Sequence, residues 1–180
     1  MEQAVVRPVD QAVFRNVIGH FASGVTIVTA ENAGVRFGAT ISAVSSLCAE
    51  PPMVLACVNQ RLGTHAAIVN THRFTINILG EGQDSLAHTF ATPGADKFCD
   101  VAVIDDHHGP RLAEALAHLS CRVVDEITAG THRIFLAEVV EAQAGTGSPL
   151  SYFRGSFGSF VPFDKASWLH KQTASPVSPK

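Results

Sequence analysis

The sequence predicts a mainly β protein, a closed or partly open antiparallel barrel with two or three peripheral helices. About seven short segments are rich in β-branched and aromatic residues, as strands are. A turn signal such as Ala129-Gly130 separates neighbouring segments closely enough for antiparallel pairing. The regular alternation of strand and helix that marks a doubly wound parallel fold is missing, which favours the barrel.

An amphipathic helix and a hairpin are predicted at the start of the chain. Asp10 is a suitable N-cap, and the apolar residues after it fall on one helical stripe that reaches Phe21. Gly24 is expected to end this helix. Residues 25–29 and 35–42 are predicted strands, and the short turn between them makes them a β-hairpin.

The middle of the chain predicts two strands and two short helices. Residues 53–58 are almost wholly apolar, which is typical of a strand covered on both faces. Thr64 is expected to cap a short helix that runs through Val69. Residues 73–79 alternate between polar and apolar at the period of a strand, and residues 85–90 form another short helix.

A long loop and four further strands are expected in the last part. Residues 91–110 have little periodicity and contain several Pro and Gly, so they predict a loop over one end of the domain, where function is often found. Residues 118–125 and 131–142 predict an antiparallel pair. Residues 150–152 and 157–163 are the last predicted strands.

Length and composition favour one domain with a substantial core. We expect that domain over residues 1–170 and a disordered polar tail over residues 171–180. Apolar residues make up 46% of the chain and charged residues only 16%, which indicates that some apolar surface is buried between subunits. The net charge of −3 argues against nucleic acid or anionic lipid as partners. A secretory signal and a membrane span are not recognisable, so we expect a cytoplasmic protein.

Several familiar kinds of site are not supported by the sequence. The glycine motifs of Rossmann folds and P-loops are missing, and the serines at 42–46 lack a nucleophile elbow. The four cysteines show no Cys-x-x-Cys spacing and are expected to be reduced thiols. Asp105-Asp106-His107-His108 has no second cluster at ligand spacing, so we expect a solvated loop there and no metal.

The segment 38–64 is the most informative part of the chain. Small and hydroxyl residues, among them Thr40, Ser42, Ser45 and Ser46, occupy an extended stretch where bulky side chains would be expected. Such a stretch lets backbone amides approach a flat polar ring, which an isoalloxazine requires. The same residues also suit ordinary strand and loop positions, so the residues alone leave both interpretations open.

Short motifs follow in a fixed order between residues 14 and 163. They include Phe21-Ala22-Ser23-Gly24-Val25-Thr26-Ile27-Val28-Thr29, Gly38-x-Thr40, Pro51-Pro52-Met53-Val54, Gly130-Thr131-His132 and Leu150-Ser151-Tyr152-Phe153-Arg154-Gly155. In their order and spacing they resemble the flavin reductase family of FMN-binding split-barrel proteins, the reductase components of two-component flavin-dependent monooxygenases. The resemblance implies a split β-barrel with antiparallel, Greek-key-like connections, and a homodimer.

The resemblance also implies where a flavin binds. The flavin ring would face the region that contains Gly38, Thr40, Ala43 and Ser46. The flavin phosphate would be bound by Asn59, Arg61 and Thr64. The long loop would bring Lys97 and Phe98 to the flavin or its phosphate tail from a neighbouring subunit.

The C-terminal motifs would serve the second nucleotide. His132 corresponds to the histidine of the family's Gly-Asp-His turn, on the nicotinamide side, and it is the one catalytic residue that the resemblance suggests. The nucleotide would pack against Tyr152, Phe153 and Arg154. Thr131 replaces the aspartate of that turn and keeps an oxygen without the negative charge.

Two further departures concern the flavin. Ala43 and Cys48 stand where serines are common in the family, which removes hydroxyl donors near the flavin. We therefore expect the flavin contacts of this chain to depend more on the backbone.

The function implied by the resemblance is hydride transfer from NADH or NADPH to FMN or FAD, with reduced flavin passing to a partner monooxygenase. Two alternatives remain: a non-catalytic protein that binds flavin or haem, and a flavin oxidase related to the pyridoxamine-phosphate oxidases. The turn at His132 and the segment from Tyr152 to Gly155 favour the reductase, because a storage protein needs no nicotinamide site.

Overall fold

The computed structural model describes residues 7–94 and 96–163. Within them lie three helices: α1 (Gln11–Ile18), α2 (Gly63–Thr71) and α3 (Asp84–Ala91). The seven longer strands are β2 (Thr26–Asn32), β3 (Val35–Ile41), β4 (Val44–Ala49), β5 (Pro52–Asn59), β6 (Arg73–Ile78), β9 (Ala117–Ala129) and β10 (His132–Ala144). The shorter strands are β1 (Ser23–Gly24), β7 (Val103–Ile104), β8 (Arg111–Leu112), β11 (Leu150–Phe153) and β12 (Ser156–Ser159). The mainly β prediction is confirmed, and the expected tail at 171–180 lies outside the described residues.

The seven longer strands form one antiparallel sheet in the order β3-β2-β6-β9-β10-β5-β4. Its two edge strands, β3 and β4, are joined by only Ser42 and Ala43. Two residues can connect opposite edges only if the sheet curls until those edges meet, so the sheet forms a split barrel. The backbone N–H of Cys57 donates to the carbonyl oxygen of Ala43 at 2.9 Å and fixes this corner to β5.

Two apolar clusters stabilise the two faces of the sheet. Val28 belongs to the cluster inside the barrel and its neighbour Ile27 to the outer cluster, because successive strand residues point to opposite faces. Helix α2 contributes the buried Ile68 to the inner cluster. Helix α3 contributes the buried Phe90 to the outer one. Each of these helices therefore covers apolar surface on one face of the sheet.

Strand β6 is buried on both faces, contrary to the alternation expected for residues 73–79. Its polar residues Thr75 and Asn77 are fully buried, and both bind the end of the long loop. The Thr75 hydroxyl donates to the carbonyl oxygen of Gly109 at 2.9 Å, and the Asn77 side-chain oxygen accepts from the N–H of Leu112 at 2.8 Å. The loop itself covers this side of the strand, so the polar residues point inward where a solvated face was expected.

Helix α1 ends earlier than predicted. It begins after the expected N-cap Asp10, whose side chain accepts from the N–H of Ala12 and of Val13, but it ends at Ile18, not near Gly24. Gly19 is the C-cap, and glycine is a poor helix former. Phe21 is consequently outside the helix and exposed.

Two predictions around α2 are corrected. Thr64 does not cap the helix, because the N-cap is Leu62, which makes no side-chain cap. The preceding turn sets this start, since the side chain of Asn59 accepts from the N–H of Arg61 at 3.0 Å. Strand β5, expected to be covered on both faces, is fully buried only at alternate residues, Val54, Ala56 and Val58, so its other face is partly exposed.

The long loop and the pairing of the later strands agree with prediction, but the last strand ends at Ser159 and not at the expected Phe163. Of the described residues between 91 and 110, only β7 is a strand, and it pairs with β8. The predicted hairpin is the pair β9 and β10, and β11 pairs with β12. In the described part of the chain, no helix has the length and apolar character needed to cross a membrane.

Candidate active site

The first of two clefts, which we name the corner cleft, lies where the edges of the sheet meet. It has a volume of about 670 Å³. Its walls come from α1, the connection between β3 and β4, strand β5 and the turn between β11 and β12. Among its lining residues are Arg15, Ser42, Ala43, Leu55, Tyr152 and Arg154.

The second cleft, which we name the loop cleft, lies between β3, the start of α2 and the long loop. It has a volume of about 500 Å³. Five of the residues predicted to bind the flavin line it: Gly38, Arg61, Thr64, Lys97 and Phe98. The fold thus brings together residues from three separate parts of the sequence.

The start of α2 gives the loop cleft donors for an anion. Its N-cap, Leu62, has no side-chain acceptor, so no side chain caps the first N–H groups of the helix. Arg61 precedes them, is exposed, and has no acidic partner among the residues that the structure describes. A helix N-terminus carries partial positive charge and favours phosphate. The chemistry of this cleft therefore fits a phosphate group.

Lys97 and Gly38 close the other side of the loop cleft. The Nζ of Lys97 donates to the carbonyl oxygens of Gly38 at 3.0 Å and Phe90 at 2.8 Å. Burial lowers the pKa of Lys97. A Cβ at Gly38 would lie 2.4 Å from the Phe90 ring, so any side chain there would have to displace that ring. Both residues hold their own chain together, and their contact with a flavin remains a prediction.

The residues expected to face the flavin ring are divided between two sides of the barrel edge. The hydroxyl of Thr40 donates to the carbonyl oxygen of Ala87 at 2.6 Å and so attaches β3 to α3. Ala43 and Ser45 line the corner cleft. Ser46 is exposed on the edge strand β4, opposite Val54 of β5, and lines neither cleft.

His132 lies at the start of β10, in register with Asn59 at the end of β5. Its Nδ1 is 2.9 Å from the hydroxyl of Thr131. The side chain of Gln60 donates to the carbonyl oxygens of Gly130 at 3.1 Å and His132 at 3.2 Å, which fixes the turn. His132 lines neither cleft, but its partner Asn59 leads directly to the start of α2.

The C-terminal site residues belong to the corner cleft. Tyr152 and Arg154 line it, and Tyr152 pairs with Ser23 of β1. Phe153 does not line the cleft and packs edge-on against His20, with ring centroids 6.1 Å apart. These contacts connect β11 to the segment that follows α1.

Sequence reasoning missed Arg15, which also lines the corner cleft. No motif marks this residue, because it reaches the cleft only through the packing of α1 near β11. The N–H of Arg154 donates to the carbonyl oxygen of Gly19 at 3.1 Å. This hydrogen bond between Arg154 and Gly19 could not be predicted from the sequence, because it joins residues near opposite ends of the domain.

A half-buried polar cluster joins the first turn of α2 to strands β9 and β10, close in sequence to the His132 turn. Arg133 donates to Glu126 at 2.7 Å, and the ring of His65 lies 5.9 Å from that of Phe135. The His65 Nε2, Arg133 Nε and Glu126 Oε2 atoms are buried without a hydrogen-bond partner among the described residues. Burial, followed by the charge of Arg133, lowers the pKa of His65, although Glu126 opposes this effect.

The acidic and histidine-rich stretch at 105–108 is bound into the protein surface. Asp106 accepts from the N–H of His108 at 2.7 Å and the hydroxyl of Ser120 at 3.2 Å. Burial acts to raise the pKa of Asp106, but these hydrogen bonds and the charge of Arg111 outweigh it and lower that pKa. Among residues 7–94 and 96–163, no group of three His, Cys, Asp or Glu side chains is arranged to hold a metal.

The fold and site define a small split-barrel protein with two clefts that arginines line, a combination that suits phosphate-bearing ligands. Residues 18–160 match the sequence model of the flavin reductase like domain. The chain belongs to this flavin reductase family.

Individual relatives agree with this assignment. The chain is 70% identical over 179 residues to the reductase component of a 4-nitrophenol 4-monooxygenase/4-nitrocatechol 2-monooxygenase of Rhodococcus opacus, covering 99% of this chain and 97% of the relative. It is 36% identical over 149 residues to FMN reductase (NADH) RutF 1 of Methylorubrum extorquens, covering 81% and 73% of the two chains. The NADH:FAD oxidoreductase SgcE6 of Streptomyces globisporus, in complex with NAD and FAD fragments, superposes with a TM-score of 0.81 at 32% identity, covering 88% of this chain and 97% of SgcE6.

These similarities confirm three expectations drawn from the sequence: the family, the mainly β split-barrel fold and the enzyme class, a flavin reductase. They do not address the roles of individual residues, which remain predictions.

Proposed function

We propose that this protein transfers hydride from NADH to a flavin and supplies the reduced flavin to a separate monooxygenase that acts on a nitrophenol. The relative from Rhodococcus opacus, similar over almost its whole length, is named as the reductase component of such an enzyme. The structural observation that carries the proposal is the uncapped start of α2 beside the unpaired Arg61. This site suits the phosphate that FMN and FAD share.

The loop cleft would hold the phosphate end of the flavin. The N–H groups at the start of α2 and the Arg61 guanidinium would donate to the phosphate oxygens. Thr64 lines the same cleft but is almost fully buried, at 2% exposure. Lys97 would act indirectly, because its ammonium is bound to the carbonyl oxygens of Gly38 and Phe90 and keeps the loop over the cleft.

The barrel corner would hold the flavin ring. Residues 42–46 combine small side chains with exposed backbone, and Ser45 adds a hydroxyl at the cleft wall. Ala43 leaves space for a flat ring, and its own carbonyl oxygen is already bound to the N–H of Cys57. Ring recognition would therefore depend on the remaining backbone groups of this segment.

The His132 turn would orient the nicotinamide. A bound flavin supplies the acceptor for the hydride, so the protein needs no obligatory general acid or base. Gln60 fixes the backbone on both sides of Thr131, and the Thr131 hydroxyl orients the His132 ring. This arrangement would position the donor ring at reacting distance and exclude water.

We propose a homodimer as the working form, located in the cytoplasm. None of the residues of α1 is buried, and its apolar side chains Val13, Phe14, Val17 and Ile18 are about half exposed or more. The edge strand β4 is largely exposed along its length. Apolar surface of this extent favours burial against a second copy. All four cysteines are free thiols, which suits a reducing compartment.

The function is tested by following NADH and NADPH oxidation with FMN, FAD and riboflavin added in turn. We expect flavin-dependent oxidation of NADH. Absence of oxidation with every combination would exclude the reductase, and rapid oxygen-dependent turnover of an amine substrate would favour the oxidase alternative. Sedimentation at micromolar concentration tests the homodimer, and a flavin-bound monomer would contradict it.

A further inference from the structure

Two arginines line the corner cleft: Arg154, which the family resemblance places beside the nucleotide without saying what it binds, and Arg15, which has no role so far. Arg15 and Arg154 both line this cleft, and neither has an acidic partner in residues 7–94 and 96–163. Four other arginines are paired with carboxylates: Arg36, Arg111, Arg122 and Arg133. Unpaired guanidinium groups that share a concave site favour an anionic ligand.

The fold holds these two arginines on the same cleft by direct contacts. The N–H of Gly19 donates to the carbonyl oxygen of Arg15 at 3.0 Å, at the end of α1. The carbonyl oxygen of Gly19 in turn accepts from the N–H of Arg154 at 3.1 Å. The edge-on packing of His20 against Phe153 adds a second contact between the same two segments. Contacts of the fold itself therefore keep Arg15 and Arg154 on the same cleft.

The backbone at Arg154 also indicates a use for its side chain. Arg154 has φ of +49° and Gly155 has φ of +85°, as in the two-residue turns that join tight hairpins. The first of these positions favours Asn, Asp or Gly, because other residues are strained at positive φ. A strained residue at a cleft indicates a functional side chain.

The other lining residues indicate what kind of anion fits. Phe21, Leu55 and Tyr152 give the cleft apolar and aromatic walls, and its volume of about 670 Å³ is that of a small-molecule site. The loop cleft has its own unpaired cation, Arg61, for the flavin phosphate. A second set of cations therefore suits a second phosphate-bearing substrate.

We propose that Arg15 and Arg154 bind the diphosphate of the pyridine dinucleotide, an inference that rests on the proposed reductase function. Two guanidinium charges match the two negative charges of a diphosphate, and the planar fork suits its oxygens.

The test compares Arg15→Gln, Arg154→Asn and the double variant with the wild-type protein. Arg154→Asn removes the guanidinium and places a favoured residue in the turn, so loss of function cannot be ascribed to a damaged fold. Arg7→Gln is the matched control. It removes the same charge, and Arg7 is exposed and lines neither cleft. KM for NADH, kcat, and the Kd values of FMN and FAD are measured for each.

Each single variant is expected to raise the KM for NADH roughly tenfold, as for loss of one charge-assisted hydrogen bond. The kcat and both flavin Kd values should stay within about twofold, as should every value for the control. An unchanged KM for NADH would overturn the proposal. Weaker binding of FAD with unchanged binding of FMN would also overturn it, because the site would then take the diphosphate of FAD.

Binding of ADP-ribose, measured by calorimetry on the flavin-loaded protein, separates this proposal from the proposed function. ADP-ribose carries the diphosphate without the nicotinamide. Weaker binding to the double variant than to the wild type supports the anion site even if no flavin reduction is found. Equal binding to both proteins would overturn the site even in an active reductase.

Discussion

Gly38 of the edge strand β3 lies directly beneath the ring of Phe90 on α3, where a Cβ would come within 2.4 Å of a ring carbon. The same glycine gives its carbonyl oxygen to Lys97 of the long loop, at 3.0 Å. One small residue thus joins a strand, a helix and a loop at the edge of the loop cleft. Its lack of a side chain determines how closely these three elements approach.

Gly38→Ala should therefore destabilise the fold. The added methyl must displace the Phe90 ring, and overpacking of this kind costs about 1–3 kcal/mol of unfolding free energy. Urea unfolding measures the loss. Gly158→Ala is the control, because a Cβ there meets nothing within 4 Å and the residue also lies in a strand. Equal stability of the two variants would show that Phe90 moves aside without cost.

The phosphate site is tested by the double change Arg61→Ala and Thr64→Ala. We expect the Kd values of FMN and FAD to rise at least tenfold while that of riboflavin changes little, because riboflavin has no phosphate. Arg36→Ala is the control, since Arg36 lines the same cleft but is already paired with Asp105 at 2.5 Å. Equal weakening of all three flavins would mean that these residues do not bind the phosphate.

His132→Ala should affect the second substrate only. A residue that contacts only the nicotinamide contributes nothing to flavin binding, so flavin titration should give the wild-type Kd. Stopped-flow reduction by NADH should slow by roughly tenfold to a hundredfold, as for loss of one positioning contact. Thr131→Asp should then change the pH dependence of reduction, because a carboxylate beside the ring favours imidazolium. Reduction at the wild-type rate by His132→Ala would show that the turn is only structural.

His65 should make the fold less stable in mild acid. Its pKa in the folded protein is lowered by burial and by Arg133, so the unfolded chain takes up a proton more readily as the pH falls through about 6.5. The free energy of unfolding should therefore decrease between pH 7 and pH 5. His65→Gln should reduce this slope, whereas His88→Gln, at an exposed position, should not. If the free energy of unfolding of both variants changed with pH in the same way, His65 would not be the group responsible for the loss of stability.

The features that were predictable from sequence are those set by local signals. Asp10 is predictable as an N-cap because aspartate favours that position, where its side chain can bind N–H groups two and three residues ahead, as it does here. The pairing of β9 with β10 followed from strand patterns on both sides of a tight turn. Features set by distant contacts were missed. The hydrogen bond that joins the end of α1 at Gly19 to Arg154 and the burial of Asn77 beneath the loop that ends at Leu112 are examples.

The candidate site shows the same difference between residues that local motifs mark and contacts that depend on distant parts of the chain. Motifs marked Arg61, Thr64 and Lys97, which the fold brings to one cleft. They could not show that Thr40 would give its hydroxyl to α3, because that contact depends on how the helix packs. Arg15 could not be recognised, since its place beside the C-terminal turn follows only from the folded chain.

The corner formed by Ser42 and Ala43 joins the two free edges of the sheet through a single short piece of chain. A molecule seated against it would act as a clasp, because separating the edges would first require its release. A tighter ligand would therefore raise the free energy of unfolding by a larger amount at the same concentration. A ligand present at a hundred times its Kd would add about 2.7 kcal/mol to the free energy of unfolding.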